Sequence, residues 1–428
     1  MAEGTTAADR VAEALRTVLR VEKLPVRLRV WDGSAAGPDG APTVVVRSRR
    51  SLRRLVLAPG ELGLARAYVA GEIDVEGDDL NSAFAALSSG GRLEPGANAS
   101  DPTLRERLEL LRAGLRLRVL GPNPAPPPEE IRMARSGRMH SRSRDAKAVS
   151  SHYDVGNDFY RMVLGPSMVY SCAVWETEDA GLDAAQEAKL DLICRKLALA
   201  PGMRLLDVGC GWGSLALHAA QKYGVDVVGI TLSKQQALLA RKRVEEAGLS
   251  DRVEIRVQDY REVADGPFDA ISSVGMAEHV GRGQLPVYAA QMQSLLRPGG
   301  RLLNHAIAWN AGETIWAPNS FIARYVFPDG ELISLSDMLG ILEGAGMEAL
   351  DVEALRQHYA LTLRAWVANL EKHWDRAVGA TSEGRARVWR LYMTGSAMAF
   401  DDGTMGVNQV LLQRPGGDPP PLRRTGWV

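Results

Sequence analysis

The chain has 428 residues, with 51 Lys and Arg against 52 Asp and Glu and a net charge of -1. That is enough chain for two or three compact units, and it lacks the global positive charge of a nucleic-acid binder. Cys172, Cys194 and Cys210 form no C-x-x-C pair and cannot all pair within the chain, so a reduced, cytoplasmic setting is the default. No run approaches the roughly 18 apolar residues of a spanning helix, and Glu3 and Asp9 sit where a signal peptide would be apolar. Any contact with membrane is expected to be peripheral.

Taken in order, Val11, Leu15, Val18 and Leu19 recur at helical spacing across residues 8–20, followed by β-rich segments at 26–31 and 43–46. Residues 47–57 pack five arginines around apolar positions, expected as a solvated face or as a contact for anionic headgroups. Residues 62–74 read as a short helix ending at Gly71 and then a turn. Together these predict a small α+β domain over residues 1–95. A linker is expected over 96–147: a glycine-rich loop, a basic amphipathic helix at 103–120, and five prolines from Pro122 to Pro128 that favour a semi-rigid spacer. The linker ends in a run, 131–147, with Arg132, Arg135, Arg138, Arg142, Arg144 and Lys147 against the single acid Asp145. Such a run is either a solvated tether or a contact with an anionic bilayer, worth about 1 kcal/mol per basic residue near the surface.

From residue 148 onward the texture is that of an α/β domain. Arg204 to Gly213 reads R-L-L-D-V-G-C-G-W-G: a strand buried on both faces, then Gly209, Gly211 and Gly213 at alternate positions, then a helical pattern from Ser214 to Tyr223. Strands at 225–230, 253–257, 268–274 and 301–307 alternate with helices at 234–247 and 285–296. This predicts a mainly parallel sheet with helices on both faces and ligands beyond the carboxyl ends of the strands. Residues 310–345, with Trp309, Trp316, Phe321, Tyr325 and Phe327 nearby and few charges, suit either an extra helical layer or an apolar lid over the site. Helical patterns at 359–374 and 385–400 and a closing strand at 407–413 complete the chain.

The glycine turn is not the dinucleotide fingerprint, because Ser214 stands where a third spaced glycine would be. It fits the G-x-G-x-G loop that holds S-adenosylmethionine in the common α/β methyltransferase fold, with Asp207 placed to accept hydrogen bonds from the ligand. Residues just after the strands deserve weight for the same topological reason: Thr231 to Gln236, Asp259 with Tyr260, Glu278 with His279, and His305. Glu278 and His305 suit an acid and base pair or the cradle of a small anion. Neither is distinctive alone, since a glutamate can cap a helix and a histidine on an apolar strand can be a satisfied core residue.

Several further motifs occur together. S-H-Y-D-V-G-N-D-F-Y starts at Ser151, M-V-Y-S-C-A-V-W at Met168 and A-K-L-D-L-I-C-R-K-L at Ala188. V-V-G-I-T-L-S-K-Q-Q follows at Val227, Q-D-Y-R at Gln258 and S-V-G-M-A-E-H-V-G at Ser273. Y-V-F-P-D-G starts at Tyr325 and H-Y-A-L-T-L-R-A-W at His358. In this order they make everything after about residue 148 resemble the cyclopropane fatty acid synthase family and its mycolic acid relatives. The resemblance implies a class I S-adenosylmethionine-dependent methyltransferase, a Rossmann-like α/β fold with a mainly parallel seven-stranded sheet, spanning 148–428 and carrying the 310–345 insertion as a helical lid. It implies donor contacts from Tyr170, Ser171, Gly209 and Gly211 to the methionine part, from Thr231, Leu232 and Gln236 to the ribose, and from Asp259 and Tyr260 to the adenine. A carboxylate often ends the second strand of methyltransferases; Thr231 stands there, which passes that role to Gln236. A bicarbonate ion is implied on Cys172 (backbone), Glu278, His305, Ile307 (backbone) and Tyr359, with no metal.

The implied reaction is methyl transfer to a cis double bond of a phospholipid acyl chain through a carbocation, with S-adenosylhomocysteine as product. A hydride shift and proton loss from a neighbouring carbon would give a methylene branch, the tuberculostearic acid precursor; proton loss from the methyl directly would close a cyclopropane. The arginine- and alanine-rich texture and the N-terminal domain favour the branch; Ala277, where many cyclopropane synthases carry a bulkier aromatic, is a departure expected to reshape the pocket next to Glu278. A separate reductase and a homodimer are compatible with this reading. The competing classes are a non-catalytic lipid-binding protein and a methyltransferase of soluble acceptors.

Overall fold

A computed structural model describes residues 5–19, 21–58, 61–78, 80–89, 112, 114–117, 119, 121–131, 156–310, 320–328 and 330–423. The basic run at 132–147, most of the amphipathic helix expected at 103–120, and Trp316 lie outside them. Two compact units emerge. One comprises Met1–Arg132, Trp316–Val326 and Ser382–Gly395; the other comprises Met133–Ile315, Phe327–Thr381 and Ser396–Val428.

The first unit holds a four-stranded sheet of β1 (Arg27–Val30), β2 (Ala35–Ala36), β3 (Thr43–Val46) and β4 (Ile73–Val75), in the order β2-β1-β3-β4. The helix Ala7–Leu19 buries Ala8, Val11 and Ala12 against Leu28, Val30 and Val46. Of the five arginines at 47–57, Arg47, Arg49 and Arg50 are exposed as a solvated face would be, whereas Arg54 is not. Arg54 is buried and forks onto Glu72 at 3.0 and 3.2 Å, and Arg47 pairs with Asp74 at 2.9 Å. Asp74, itself buried, also receives Arg387 at 2.9 Å, from a segment more than 300 residues later in sequence.

The expected division at residue 95 also changes. Arg53 donates to the Val119 carbonyl and Arg54 to the Ala125 carbonyl, both at 2.8 Å, while buried Glu130 accepts from Arg66 at 2.7 and 2.8 Å. Residues 121–131 are therefore stitched into this unit by otherwise unmet carbonyls and a buried carboxylate, and the prolines are not a free spacer.

The second unit is built on β5 (Arg204–Val208), β6 (Asp226–Thr231), β7 (Val253–Val257), β8 (Phe268–Val274), β9 (Leu296–Trp309), β10 (Ile333–Ser334), β11 (Glu348–Ala354) and β12 (Met405–Gln413). Seven of them run in the order β11-β12-β9-β8-β5-β6-β7, with the two-residue β10 paired beside β9. All are parallel except β12, which lies antiparallel between β9 and β11. Apolar clusters cover both faces, one around Leu205, Ile193 and Ala237 and the other around Leu206, Ile271 and Met292.

Part of the 310–345 insertion departs from a lid. Ile333–Ser334 extends the sheet, and the helix Leu335–Gly344 buries Met338 and Leu342 in the second cluster. That stretch is an ordinary covering helix of the sheet. Phe321 and Tyr325 fall in the first unit, and Tyr325 donates its hydroxyl to Glu130 at 3.3 Å.

Candidate active site

A cavity of about 1180 Å³, its open mouth included, lies beyond the carboxyl ends of β5, β6, β7 and β8. The glycine turn forms its floor. Gly209, Gly211 and Gly213 have φ of +81°, +55° and +79°, a region that L side chains avoid. The amides of Gly209 and Cys210 both donate to the Ile230 carbonyl at 3.0 Å, pinning the turn against β6.

Tyr170, Ser171, Asp207, Gly209, Gly211, Thr231, Leu232, Gln236, Asp259 and Tyr260 all line this cavity. Gly213 does not; it precedes the helix Ser214–Tyr223, and a Cβ there would sit 3.2 Å from the Ala240 Cβ, so its role is packing. Thr231 donates its hydroxyl to Gln236 Oε1 at 2.8 Å and accepts from the Ser233 amide. With its oxygen so engaged, the Gln236 carboxamide is oriented by the residue that replaces the usual carboxylate. Asp259 accepts from Arg261 Nε and Nη2 at 2.8 and 2.6 Å, a bidentate pair that holds the carboxylate rigid.

Sequence reasoning missed Lys189, which is fully buried, lines the cavity and donates to Ser171 Oγ at 3.0 Å. Burial drives its ammonium down to about 8 and the neighbouring Asp207 carboxyl up to about 6, each opposed by the other's charge. Asp207 Oδ1 accepts from Ser272 at 2.8 Å, while Oδ2 is buried with no hydrogen-bond partner among the described residues. An unsatisfied carboxylate oxygen beside a backbone-lined glycine floor fits the ammonium and carboxylate ends of a methionine moiety. Trp212, Met276 and His279 also line the cavity, and the His279 ring packs against Phe327 with centroids 5.7 Å apart.

The five residues expected around an anion do not line the cavity itself; a relay of mostly backbone contacts links the segments that carry them. The Gly275 amide, on the cavity wall, donates to the His305 carbonyl at 2.9 Å. Two residues along β9 on the same face, the Ile307 amide donates to Glu278 Oε1 at 2.7 Å. Ile307 pairs with Val407, whose carbonyl receives the Leu355 amide at 2.8 Å. The Leu355 carbonyl in turn accepts from the Tyr359 amide at 3.1 Å and lies 3.6 Å from Cys172 Sγ. The Tyr359 ring packs on Phe400 and Trp366, and Tyr170 packs on Trp366, so an aromatic wall borders the group.

Two atoms here have opposite needs. Glu278 Oε2 and His305 Nε2 are both shut off from solvent and without hydrogen-bond partners among the described residues. Burial lifts the Glu278 carboxyl to about 7 and, with the charges of Lys189 and Lys196, drives His305 down to about 3, leaving the imidazole neutral. A small ion bearing both a hydroxyl and an oxyanion fits such a pair. Burial raises the Cys172 thiol well above its ordinary range, so its side chain is a filler. Among the described residues no cluster of His, Cys, Asp and Glu suits a metal, and no helix is long and apolar enough to cross a membrane.

The profile of the family described as mycolic acid cyclopropane synthetase matches residues 140–410, more than half of the chain. The chain belongs to this family. It is an S-adenosylmethionine-dependent methyltransferase of the class I, Rossmann-like fold, from a family whose members act on fatty acyl chains. A Mycobacterium tuberculosis protein named probable fatty acid methyltransferase is 42% identical over 99% of both chains. The cyclopropane-fatty-acyl-phospholipid synthase of Escherichia coli K12 is 38% identical over 72% of this chain and 77% of its own. The tuberculostearic acid methyltransferase UfaA1 of M. tuberculosis is 33% identical over 96% and 93%. Among solved structures, the M. tuberculosis cyclopropane synthase MmaA2 superposes with a TM-score of 0.60 at 35% identity, over 63% of this chain and 98% of that one. The mycolic acid cyclopropane synthase CmaA1, complexed with S-adenosylhomocysteine and CTAB, gives 0.59 at 35% identity, over 63% and 98%.

Proposed function

We propose that this methyltransferase alkylates the cis double bond of an unsaturated, oleoyl-type acyl chain of a membrane phospholipid and yields a methylene-branched chain, the precursor of a 10-methyl acid. The observation that supports the reading is two buried atoms with opposite needs, Glu278 Oε2 and His305 Nε2, on segments joined by hydrogen bonds at Gly275 and Ile307 to each other and to the wall of the donor cavity. Soluble nucleophilic acceptors need no such arrangement. A carbocation on an acyl chain does, because water must be kept out and one base must be held near the departing proton.

S-adenosylmethionine supplies an electrophilic methyl group, which leaves a positive centre on the acyl chain. Bicarbonate supplies a base of low charge that a dry pocket can hold. Glu278, His305, Tyr359 and the backbone at Cys172 and Ile307 are the groups that would hold that ion. Glu278 tolerates an anion beside it because burial keeps its own carboxyl near half-protonated at neutral pH. Asp207, Ser171 and the glycine floor hold the methionine end of the donor, Gln236 the ribose, and Asp259 with Tyr260 the adenine. The aromatic wall excludes water and presents ring faces to the cationic chain. In the branching route a hydride moves to the first cationic carbon, the charge passes to the carbon bearing the new methyl, and a proton leaves that methyl to form a methylene (C=CH2) branch on the open chain. A separate reductase would then saturate it.

The similarity to UfaA1 and to the probable fatty acid methyltransferase supports the branch, as does small, buried Ala277 beside Glu278. The similarity to the E. coli synthase supports the second reading, ring closure. Peripheral association with the inner face of the cell membrane is proposed through the first unit and the basic run at 132–147, and no nucleic acid is involved. The test is incubation with methyl-labelled donor and dioleoyl phospholipid vesicles, followed by mass spectrometry of the released fatty acids. Gain of one CH2 is expected, and mild hydrogenation should add two hydrogens to a methylene product and none to a ring. Unlabelled lipid, or label on soluble acceptors alone, overturns the reading.

A further inference from the structure

His305 is flanked by a buried chain of polar groups with no evident part in binding the donor. On β12, Gln409 lies opposite His305 in register and is fully buried; its Nε2 is 3.3 Å from His305 Nδ1. Its Oε1 accepts from Lys196 Nζ at 2.8 Å. Lys196 is 1% exposed at the end of the helix Leu182–Lys196, where it pairs closely with Glu353 and lies 3.7 Å from Asp351.

The donor chemistry of this chain fixes its direction. An ammonium can only donate, so the amide oxygen of Gln409 must face Lys196. The amide nitrogen then faces His305 and can only donate in turn, so Nδ1 must accept. A neutral imidazole that accepts at Nδ1 carries its hydrogen on Nε2, the atom left without a hydrogen-bond partner among the described residues. The two carboxylates at the far end keep the ammonium in place and so anchor the orientation of the amide.

We propose that Lys196 and Gln409 are positioning residues that lock His305 as the Nε2–H tautomer, so that it presents a hydrogen-bond donor, and no base, to the anion pocket. This rests on the reading of that pocket given above and deepens it: His305 holds the oxyanion and cannot take the proton lost from the acyl chain. The network joins a helix, β11, β12 and β9, and a polar pair at the heart of a sheet is otherwise costly.

The test is a two-bond 1H–15N correlation spectrum of the full-length protein labelled with [15N]histidine, with the His305 signals assigned by their loss in His305→Ala. The wild type should show the Nε2–H pattern. Gln409→Glu replaces the donor with an acceptor and should convert His305 to the Nδ1–H or doubly protonated pattern. Lys196→Met, which frees the amide to turn over, should give a mixture of tautomers, with Lys196→Arg restoring the wild-type pattern. Methyl transfer should fall at least tenfold in Gln409→Glu and Lys196→Met, with donor affinity kept within about threefold. A wild-type Nδ1–H pattern overturns the proposal without any variant having to fold. So does an Nε2–H pattern unchanged in both Gln409→Glu and Lys196→Met. The spectrum is independent of lipid turnover, so failure of the vesicle assay would sink the functional reading and leave the tautomer assignment standing or falling separately.

Discussion

Glu278 places a carboxyl where its charge is poorly tolerated. Burial moves it from 4.5 to about 7, although the Ile307 amide pulls the other way. Between these two values the unfolded chain has released a proton that the folded chain keeps, so stability falls as pH rises through that window and levels off above it. Glu278→Gln lacks this dependence. Its stability relative to wild type should rise from pH 4.5 to 7 and then stay constant, a gain on the order of 3 kcal/mol; a difference flat across the window contradicts the burial argument. The same variant should lose turnover by at least a hundredfold, with donor affinity by calorimetry within about threefold. The glycine turn offers a contrast between neighbours. Gly209→Ala forces a side chain to +81° and sets a Cβ 3.3 Å from Met276 on the cavity wall, so donor affinity should fall at least tenfold. Gly213→Ala meets Ala240 instead and should cost about 1–2 kcal/mol of stability with a much smaller change in donor affinity. Equal effects on binding in the two variants would remove the distinction between floor and packing.

At the scale of elements, the helix Leu335–Gly344 decides whether its stretch of the insertion is cover or lid. Leu342 is fully buried beneath it, so Leu342→Ala should destabilise the protein by about 2–5 kcal/mol. A lid residue would instead change KM for vesicles and leave the melting temperature in place. The strands around the cavity were legible from two patterns: β8, buried along most of its length, carries a single charge, and the edge strand β7 alternates as V-E-I-R-V; both occupy the stretches expected, and the glycine turn announces its own geometry. β11 was missed because an edge strand with alternating acids, E-A-L-D-V-E-A, reads as an exposed segment. β9 runs from 296 to 309, longer than the expected 301–307, because it pairs with both β8 and β12. The donor residues could be named from motifs, whereas Lys189, Lys196 and Gln409 could not. A lysine in a helical pattern is ordinarily a solvated group, and the 213 positions between Lys196 and Gln409 hide their contact. Arg54 was misjudged for the same reason: periodicity tells where a side chain points, and only its partner, Glu72, explains why a charge can be buried there.

For the whole molecule, the division into units matters because the first is discontinuous in sequence. Asp74 accepts from Arg387 with both side chains less than one-tenth exposed, and Arg390 donates to the Tyr68 hydroxyl at 2.7 Å. Removing one member of such a pair strands the other in a poorly hydrated place. Asp74→Ala should therefore lower stability by about 3–5 kcal/mol, measured by denaturant unfolding of the full chain. Replacement of both Asp74 and Arg387 by Leu and Met should recover much of that loss; a single variant with wild-type stability would show the pair to be idle. The same argument predicts that residues 133–428 expressed alone, although they contain the stretch 140–410 that matches the family, will aggregate, since Arg387 and Arg390 then lack Asp74 and Tyr68.

This interleaving sets an order on biosynthesis. When residues up to 132 have left the ribosome, Asp74 has Arg47 beside it but still lacks Arg387, which is added more than 300 positions later. The amino-terminal unit can begin to collapse early, but it cannot close until the segment carrying Arg387 arrives, so nascent chains interrupted before that point should remain open to proteases and dependent on chaperones.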